Sequence, residues 1–146
     1  MAKKFRFKLE PILKIRTEKV EETKSILHTA MRNRYDKETE IEELNEVKKD
    51  FLSEPQIITK ASDMQASKDY VNNMDWQLQK KEEEKIKLLE IENHRRDELN
   101  DALKEEKVII KLKEKKIEEH QKILKKEESD FLDEVGKNQY LRDKKL

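Results

Sequence analysis

The sequence predicts an all-α fold, a long two-helix antiparallel coiled-coil hairpin whose second helix overhangs the first. Charged residues make up 47% of the 146 residues, and the chain has one glycine. A single glycine cannot supply the turns that a sheet protein needs. Apolar residues recur at intervals of seven, which is typical of long helices in a coiled coil. We therefore expect one elongated coiled-coil domain over residues 1–146.

Helix 1 is predicted over residues 11–52. Pro11 suits a first helical turn, where its missing N–H has no partner to lose. Pro55 ends the helix because the residue before a proline is pushed out of helical geometry. Two rows of seven-residue steps define the predicted seam, with polar breaks in each row: Leu13, Val20, Leu27, Arg34 and Ile41; Arg16, Thr23, Ala30, Lys37, Leu44 and Phe51. Before Pro11, Phe5, Phe7 and Leu9 alternate with basic residues and form either a short extended arm or an early helical turn.

A connection over residues 53–62 leads to helix 2, which is predicted over residues 63–135 with Ser62 as its cap. Met64, Val71 and Leu78 step by seven, and the next apolar anchor, Leu89, comes eleven residues later, as at an inserted stutter. The row then continues by sevens: Leu89, Arg96, Leu103, Ile110, Ile117, Leu124 and Phe131. Gly136 is predicted to be a left-handed helix cap, and residues 136–146 a basic tail.

Pairing the two helices predicts which part of helix 2 stays uncovered. A hairpin folded at the connection places Phe51 near Met64 and Leu13 near residues 102–103. Phe5 and Phe7 then fall near residues 108–110, and helix 2 has no partner beyond about Leu112. An uncovered apolar face tends to find a partner. We expect a docking helix for another protein; the alternatives are a homodimer contact or a chain end that folds back.

Three aromatic residues are predicted to lie off the seam: Tyr35, Tyr70 and Trp76. Exposed aromatic side chains on such a charged helix are candidate partner contacts, although single exposed aromatics are often without a role.

No catalytic, cofactor or metal site is predicted. One glycine cannot build a phosphate-binding loop, and His28, His94 and His120 are too far apart to form a His-Glu-x-x-His pair. The 34 basic and 34 acidic residues cancel, whereas a nucleic-acid binder needs a basic surplus. The absence of cysteine excludes disulfides and thiolate metal sites. There is no run of about 18 apolar residues and no apolar signal segment. We therefore expect a cytoplasmic protein that is not an enzyme, with no cofactor, no nucleic-acid partner and no membrane span.

Two stretches resemble the FliJ family of flagellar type III export. Residues 5–16, Phe-Arg-Phe-Lys-Leu-Glu-Pro-Ile-Leu-Lys-Ile-Arg, are close to the family's opening of aromatic-x-aromatic-x-Leu-Glu followed by a leucine and an arginine. The second stretch lies in helix 2: Arg96, Leu99, Ala102, the charged runs at 104–107 and 111–115, and Asp133 with Glu134. The resemblance implies a coiled coil similar to the central stalk of rotary ATPases. It also implies three partners: the hexameric flagellar export ATPase, a membrane export gate protein and export chaperones.

The resemblance further implies a location at the inner face of the cell membrane at the flagellar base. Together with the uncovered helix end, it predicts an ATPase-binding set: Phe5, Phe7, Leu9, Leu13, Ile117, Leu124, Phe131, Leu132 and Val135. The gate or the chaperones are expected at Tyr35, Tyr70 and Trp76. The alternative function is a structural homodimeric coiled-coil spacer or scaffold with no ATPase partner. A third is the stalk subunit of another rotary or injectisome ATPase.

Overall fold

Two helices account for nearly all of the chain that the computed structural model describes, which is residues 4–55 and 60–144. Helix α1 spans Glu10–Ser53 and helix α2 spans Ala61–Lys144. The described residues contain no strand. The two helices run antiparallel and pack against each other, so the predicted all-α hairpin is confirmed.

The contacts divide the chain into two compact units. The first, called here the terminal unit, comprises residues 1–19 and 102–146; the second, the central unit, comprises residues 20–101. Each unit contains a segment of α1 and a segment of α2.

The core of the central unit follows the rows predicted for helix 1. The buried side chains of α1 fall on the two predicted seven-residue rows, as expected for the seam of a coiled coil: Val20, Thr23, Leu27, Ala30 and Ile41. Leu44 and Phe51 are half-buried in the same rows. Thr23 is satisfied within its own helix, because its hydroxyl donates to the carbonyl oxygen of Val20 at 3.0 Å. The prediction for this face of α1 is therefore confirmed.

The seam of α2 differs from the predicted one. The predicted stutter after Leu78 is wrong, because the buried and half-buried positions continue by sevens without an interruption: Val71, Leu78, Lys85, Glu92 and Leu99. Leu89, which was expected in the seam, is 36% exposed. Two charged residues occupy seam positions that the apolar pattern alone could not identify. They are accommodated because charged residues of α1 face them.

Glu92 is the centre of this polar part of the seam, with only 2% of its surface exposed. Its carboxylate accepts a hydrogen bond from Arg34 and another, at 3.2 Å, from Arg96. Arg34 also donates to Glu38 at 2.9 Å. A buried carboxylate is costly unless it is paired and hydrogen-bonded. Arg34, read from the sequence as a break in the seam, therefore supplies the charge that Glu92 needs.

Lys37 forms a second polar bridge between the helices. Its ammonium group lies 2.7 Å from a carboxylate oxygen of Glu84 on α2 and 2.9 Å from one of Glu40 on α1. Hydrogen bonds from Lys37 hold the pKa of both carboxyl groups below the usual range for glutamate. The same bonds, to Glu84 first and Glu40 second, raise the pKa of Lys37. The bridge therefore favours the charged forms of all three groups.

The register of the hairpin differs from the predicted register by about two helical turns. Phe51 was expected near Met64, but its ring lies 4.6 Å from that of Tyr70, and Met64 is 57% exposed. Lys48 pairs with Asp75 in the same part of the hairpin. The predicted pairing was wrong because it closed the hairpin too tightly at the connection, of which residues 56–59 lie outside the described part.

The terminal unit shows the same displacement. Glu10 forms an ion pair with Lys113 at 2.9 Å and Arg16 one with Glu105 at 2.8 Å. Leu13 therefore lies opposite the segment between Glu105 and Lys113, beyond the expected residues 102–103. Ala102 is 2% exposed and is the most buried residue of this unit.

The two ends of α2 also differ from the prediction. Lys60, not Ser62, is the cap, since its carbonyl oxygen accepts hydrogen bonds from the N–H groups of Asp63 and Met64 at 3.1 and 3.3 Å. The predicted cap at Gly136 is wrong, because α2 continues through it to Lys144 and the glycine does not have a positive φ. Residues 136–144 are therefore helical and not a separate tail.

Candidate partner-binding surface

Residues 4–9, which precede α1, form a short arm that is not helical. Residues 4–7 have no regular structure and a turn follows at residues 8 and 9. The N–H of Glu10 donates to the carbonyl oxygen of Phe7 at 3.1 Å, and that of Leu13 to Leu9 at 2.9 Å, which starts α1. Along the arm, half-buried Phe5, Phe7 and Leu9 alternate with exposed basic residues. This alternation is that of an extended segment with one face on a neighbouring surface, so of the two predicted alternatives the arm is the correct one.

The arm and α2 line an open cleft in the terminal unit. On the side of α2 the cleft is lined by Leu112, Lys116, Glu119, His120 and Ile123. The rings of Phe5 and His120 have centroids 5.5 Å apart and are tilted by 48°. The arm therefore packs beyond residues 108–110, where it was predicted to lie. It covers part of the segment of α2 that was expected to be without a partner.

The predicted ATPase-binding residues fall into two groups. Those that the fold partly covers are half-buried: Phe5, Phe7, Leu9, Leu13, Ile117 and Leu124. The others follow on α2, do not line the cleft and are largely exposed: Phe131 at 63%, Leu132 at 59% and Val135 at 44%. The overhang of α2 is therefore confirmed, but it begins near Leu124 and not at Leu112. The uncovered apolar side chains lie in its last four turns.

The three aromatics predicted off the seam lie in the central unit. Tyr35 is 65% and Trp76 59% exposed. The ammonium group of Lys80 lies 5.6 Å from the centroid of the Trp76 ring, within the range of a cation–π contact. Tyr70 is 44% exposed and uses its ring to pack on Phe51. Tyr35 and Trp76 therefore remain as surface aromatics, whereas Tyr70 also contributes to the packing between the helices.

His120 belongs to this surface, although the sequence pattern does not predict it there. In the structure it is half-buried and continues, by sevens, the seam positions Glu106 and Lys113. The predicted row moved to Leu89 at the supposed stutter, whereas the row from Val71 and Leu78, continued by sevens, reaches His120.

The surface is suited to binding another protein. That part of the chain contains no group of three or more histidine, cysteine, aspartate or glutamate residues able to hold a metal ion. None of the described helices is long and apolar enough to cross a membrane. The arrangement of apolar side chains flanked by charged ones is typical of protein-binding surfaces.

Comparison with known proteins gives one match. A family described as flagellar FliJ protein matches residues 5–145, which include the arm, both helices and the exposed end of α2. No curated protein and no solved structure matches the chain.

Proposed function

Because the chain belongs to the flagellar FliJ protein family, we propose that it binds the hexameric flagellar export ATPase as a stalk and couples it to the membrane export gate and to export chaperones. Family membership makes it a flagellar export-related protein. The proposal comprises the stalk role, the three partners and the absence of enzymatic activity. It also includes a location in the cytoplasm at the inner face of the cell membrane.

The observation that carries the proposal is the exposed apolar end of α2. Phe131, Leu132 and Val135 lie within five residues of one another on a helix that continues to Lys144. Clustered apolar side chains that the fold leaves exposed mark protein-binding sites, and a helix recognised in a groove presents such a cluster on one face. This end is therefore the first candidate for the contact with the ATPase.

The N-terminal arm is proposed to act with the end of α2. Both belong to the terminal unit. Phe5, Phe7 and Leu9 already pack on α2, so the arm and helix offer a partner one prearranged surface. A prearranged surface loses less conformational entropy on binding. Leu13, Ile117 and Leu124 are proposed to support this surface from its half-buried side.

The gate and the chaperones are proposed to bind the central unit. Tyr35 and Trp76 are the exposed aromatics there, and aromatic residues are enriched among the residues that dominate binding energy. Tyr70 is proposed as a flanking contact.

The test is ATP hydrolysis by the flagellar export ATPase of the same organism, titrated with the chain. A variant carrying Phe131→Ser, Leu132→Ser and Val135→Ser is expected to raise the protein concentration that gives half-maximal stimulation by about tenfold or more, since the three anchors together contribute at least about 1.4 kcal/mol when a partner buries them. The matched control carries Val47→Ser, Ile86→Ser and Ile91→Ser. These residues of the central unit are similarly exposed, at 48%, 56% and 47%.

Two outcomes would contradict the proposal. Equal stimulation by both triple variants would remove the end of α2 from the ATPase contact. No stimulation by the unmodified chain would favour the homodimeric spacer. Light scattering then decides that alternative, because a spacer gives twice the 17.7 kDa mass of the single chain.

A further inference from the structure

Positive charge is concentrated at the start of the chain. Residues 1–19 contain seven lysines and arginines against two acidic residues, Glu10 and Glu18. Glu10 is neutralised by Lys113, whose ammonium group lies 2.9 Å from its carboxylate. This segment therefore carries most of the basic surplus of the terminal unit.

Four of these basic residues have no counter-charge. In the part of the chain that the structure describes, no ion pair involves Lys4, Arg6, Lys8 or Lys14, and all four are exposed. A surface cation outside any ion pair stays available to an external anion. Glu119 is the acidic residue that lines the same cleft as Lys4, Arg6 and Lys8, and it forms no ion pair with them.

Two exposed isoleucines lie close to Lys14 in the first turns of α1. Ile12 is 40% and Ile15 62% exposed. They are three residues apart, so they are neighbours on one side of α1. The seam uses other residues of this turn, Leu13 and Arg16, which are half-buried. The packing between the helices therefore does not account for the position of Ile12 and Ile15.

We propose that these residues form a binding face for the anionic headgroups of a lipid bilayer, with the two isoleucines entering the interface below the headgroups. This N-terminal basic face consists of Lys4, Arg6, Lys8, Ile12, Lys14 and Ile15. A cluster of four or more basic residues beside apolar side chains fits an anionic membrane surface. The proposal rests on the membrane location given in the proposed function and supplies a direct contact for it, and it does not depend on the ATPase.

The basic residues of the face are irregularly placed, which favours a bilayer over an acidic helix of a partner protein as the ligand. Three of its cations lie on the extended arm or its turn, and the fourth lies on α1. The spacing of residues differs between extended and helical backbone, about 3.3 Å against 1.5 Å per residue. One partner helix with a fixed repeat cannot match both spacings. Lipid headgroups move laterally and need no register.

The test is flotation of the full chain with two kinds of vesicle, phosphatidylcholine alone and phosphatidylcholine mixed with phosphatidylglycerol. We expect the chain to bind only the vesicles that contain phosphatidylglycerol, and to be released by high salt. The variant Lys8→Glu with Lys14→Glu is expected to lower the fraction bound by about tenfold or more, because each basic residue near the surface contributes about fivefold. Ile15→Ser is expected to lower it by several-fold.

The matched control is Lys104→Glu with Lys111→Glu. These residues are exposed on α2 in the same unit and also have no ion pair with a described residue. The control changes the net charge by the same amount and is expected to bind like the unmodified chain. Circular dichroism of every variant checks that the helices form.

Three results would overturn the proposal. Equal binding to both kinds of vesicle would show that the headgroup charge is not recognised. Equal loss in both lysine variants would show a response to net charge and not to this face. Binding to soluble polyglutamate but not to the vesicles would assign the face to an acidic protein. None of these assays contains the ATPase, so their failure is separate from failure of the stalk proposal.

Discussion

At the scale of single residues, the carboxylate of Glu92 lies between the helices with two guanidinium groups against it, from Arg34 and Arg96. The side chain of Glu92 is 3% exposed and that of Arg34 23%. Removing one partner of such a pair leaves a charge in a place where water cannot replace the lost bonds. Replacing both by apolar groups of similar size removes that penalty.

We predict that Arg34→Met lowers the midpoint of thermal unfolding by roughly 5–10 °C, because Glu92 then keeps only the bond from Arg96. Arg34→Met combined with Glu92→Leu is expected to recover most of this loss. The measurement is thermal unfolding followed by circular dichroism.

Lys24→Met is the control, since within the described part of the chain Lys24 pairs only with Glu21 on its own helix, at 3.7 Å. Exposed pairs of this kind contribute little. A loss from Arg34→Met no larger than that from Lys24→Met would show that the Glu92 pair does not stabilise the fold.

At the scale of elements, Gly136 is a helical residue with open space around it. A Cβ atom built there meets no other atom within 4 Å, and the backbone does not have a positive φ. Glycine inside a helix is destabilising relative to alanine because it loses more backbone entropy on folding. The end of α2 therefore contains one local weak point.

We predict that Gly136→Ala stabilises this end of α2 by about 0.5–1 kcal/mol. The measurement is amide hydrogen exchange of residues 131–144, which should slow several-fold while exchange in the central unit stays unchanged. Asn138→Ala, two residues away, serves as the control for a general gain in helix propensity. Faster exchange in Gly136→Ala would mean that the glycine is needed for a local conformation.

Whether the seam of a helix could be predicted from the sequence depends on the residues that occupy it. The seam of α1 was predictable because Val20, Leu27 and Ile41 are apolar and fall on one seven-residue row. The seam of α2 was not, because Lys85 and Glu92 occupy positions where only the facing helix explains a charge. The helix end was misplaced for a related reason, since a glycine is a common cap and no long-range contact at Gly136 forces one.

The candidate site was predictable in outline only. The alternation of Phe5, Phe7 and Leu9 identified a segment with one packed face. The position of their contact required the hairpin register, which depends on a connection that a seven-residue repeat does not specify. His120 was missed because the predicted stutter moved the row of α2 onto Leu89, and Ile15 because it is an apolar residue outside the seam.

At the scale of the whole molecule, a net charge of zero results from two opposite surpluses. The terminal unit has 20 lysines and arginines against 13 acidic residues, and the central unit has 14 against 21. Charges of one sign grouped in this way create a local potential that the net charge conceals.

We predict that the chain is retained at low salt and neutral pH by both cation- and anion-exchange resins, although its pI is about 6.9. Lys8→Glu with Lys14→Glu should elute from the cation exchanger at a lower salt concentration than the unmodified chain. Its elution from the anion exchanger should change less. The measurement is the salt concentration at elution. Passage through both resins without retention would show that the opposite charges are mixed over the surface.

The chain has one tryptophan, Trp76, with 59% of its surface exposed and Lys80 over its ring. Its indole already contacts water in the folded hairpin, so unfolding changes its surroundings little, whereas a docked partner would exclude that water. Its fluorescence should therefore report contact on the central unit and be nearly silent about folding. The unlabelled protein thus contains an optical sensor of the face proposed for the gate and the chaperones.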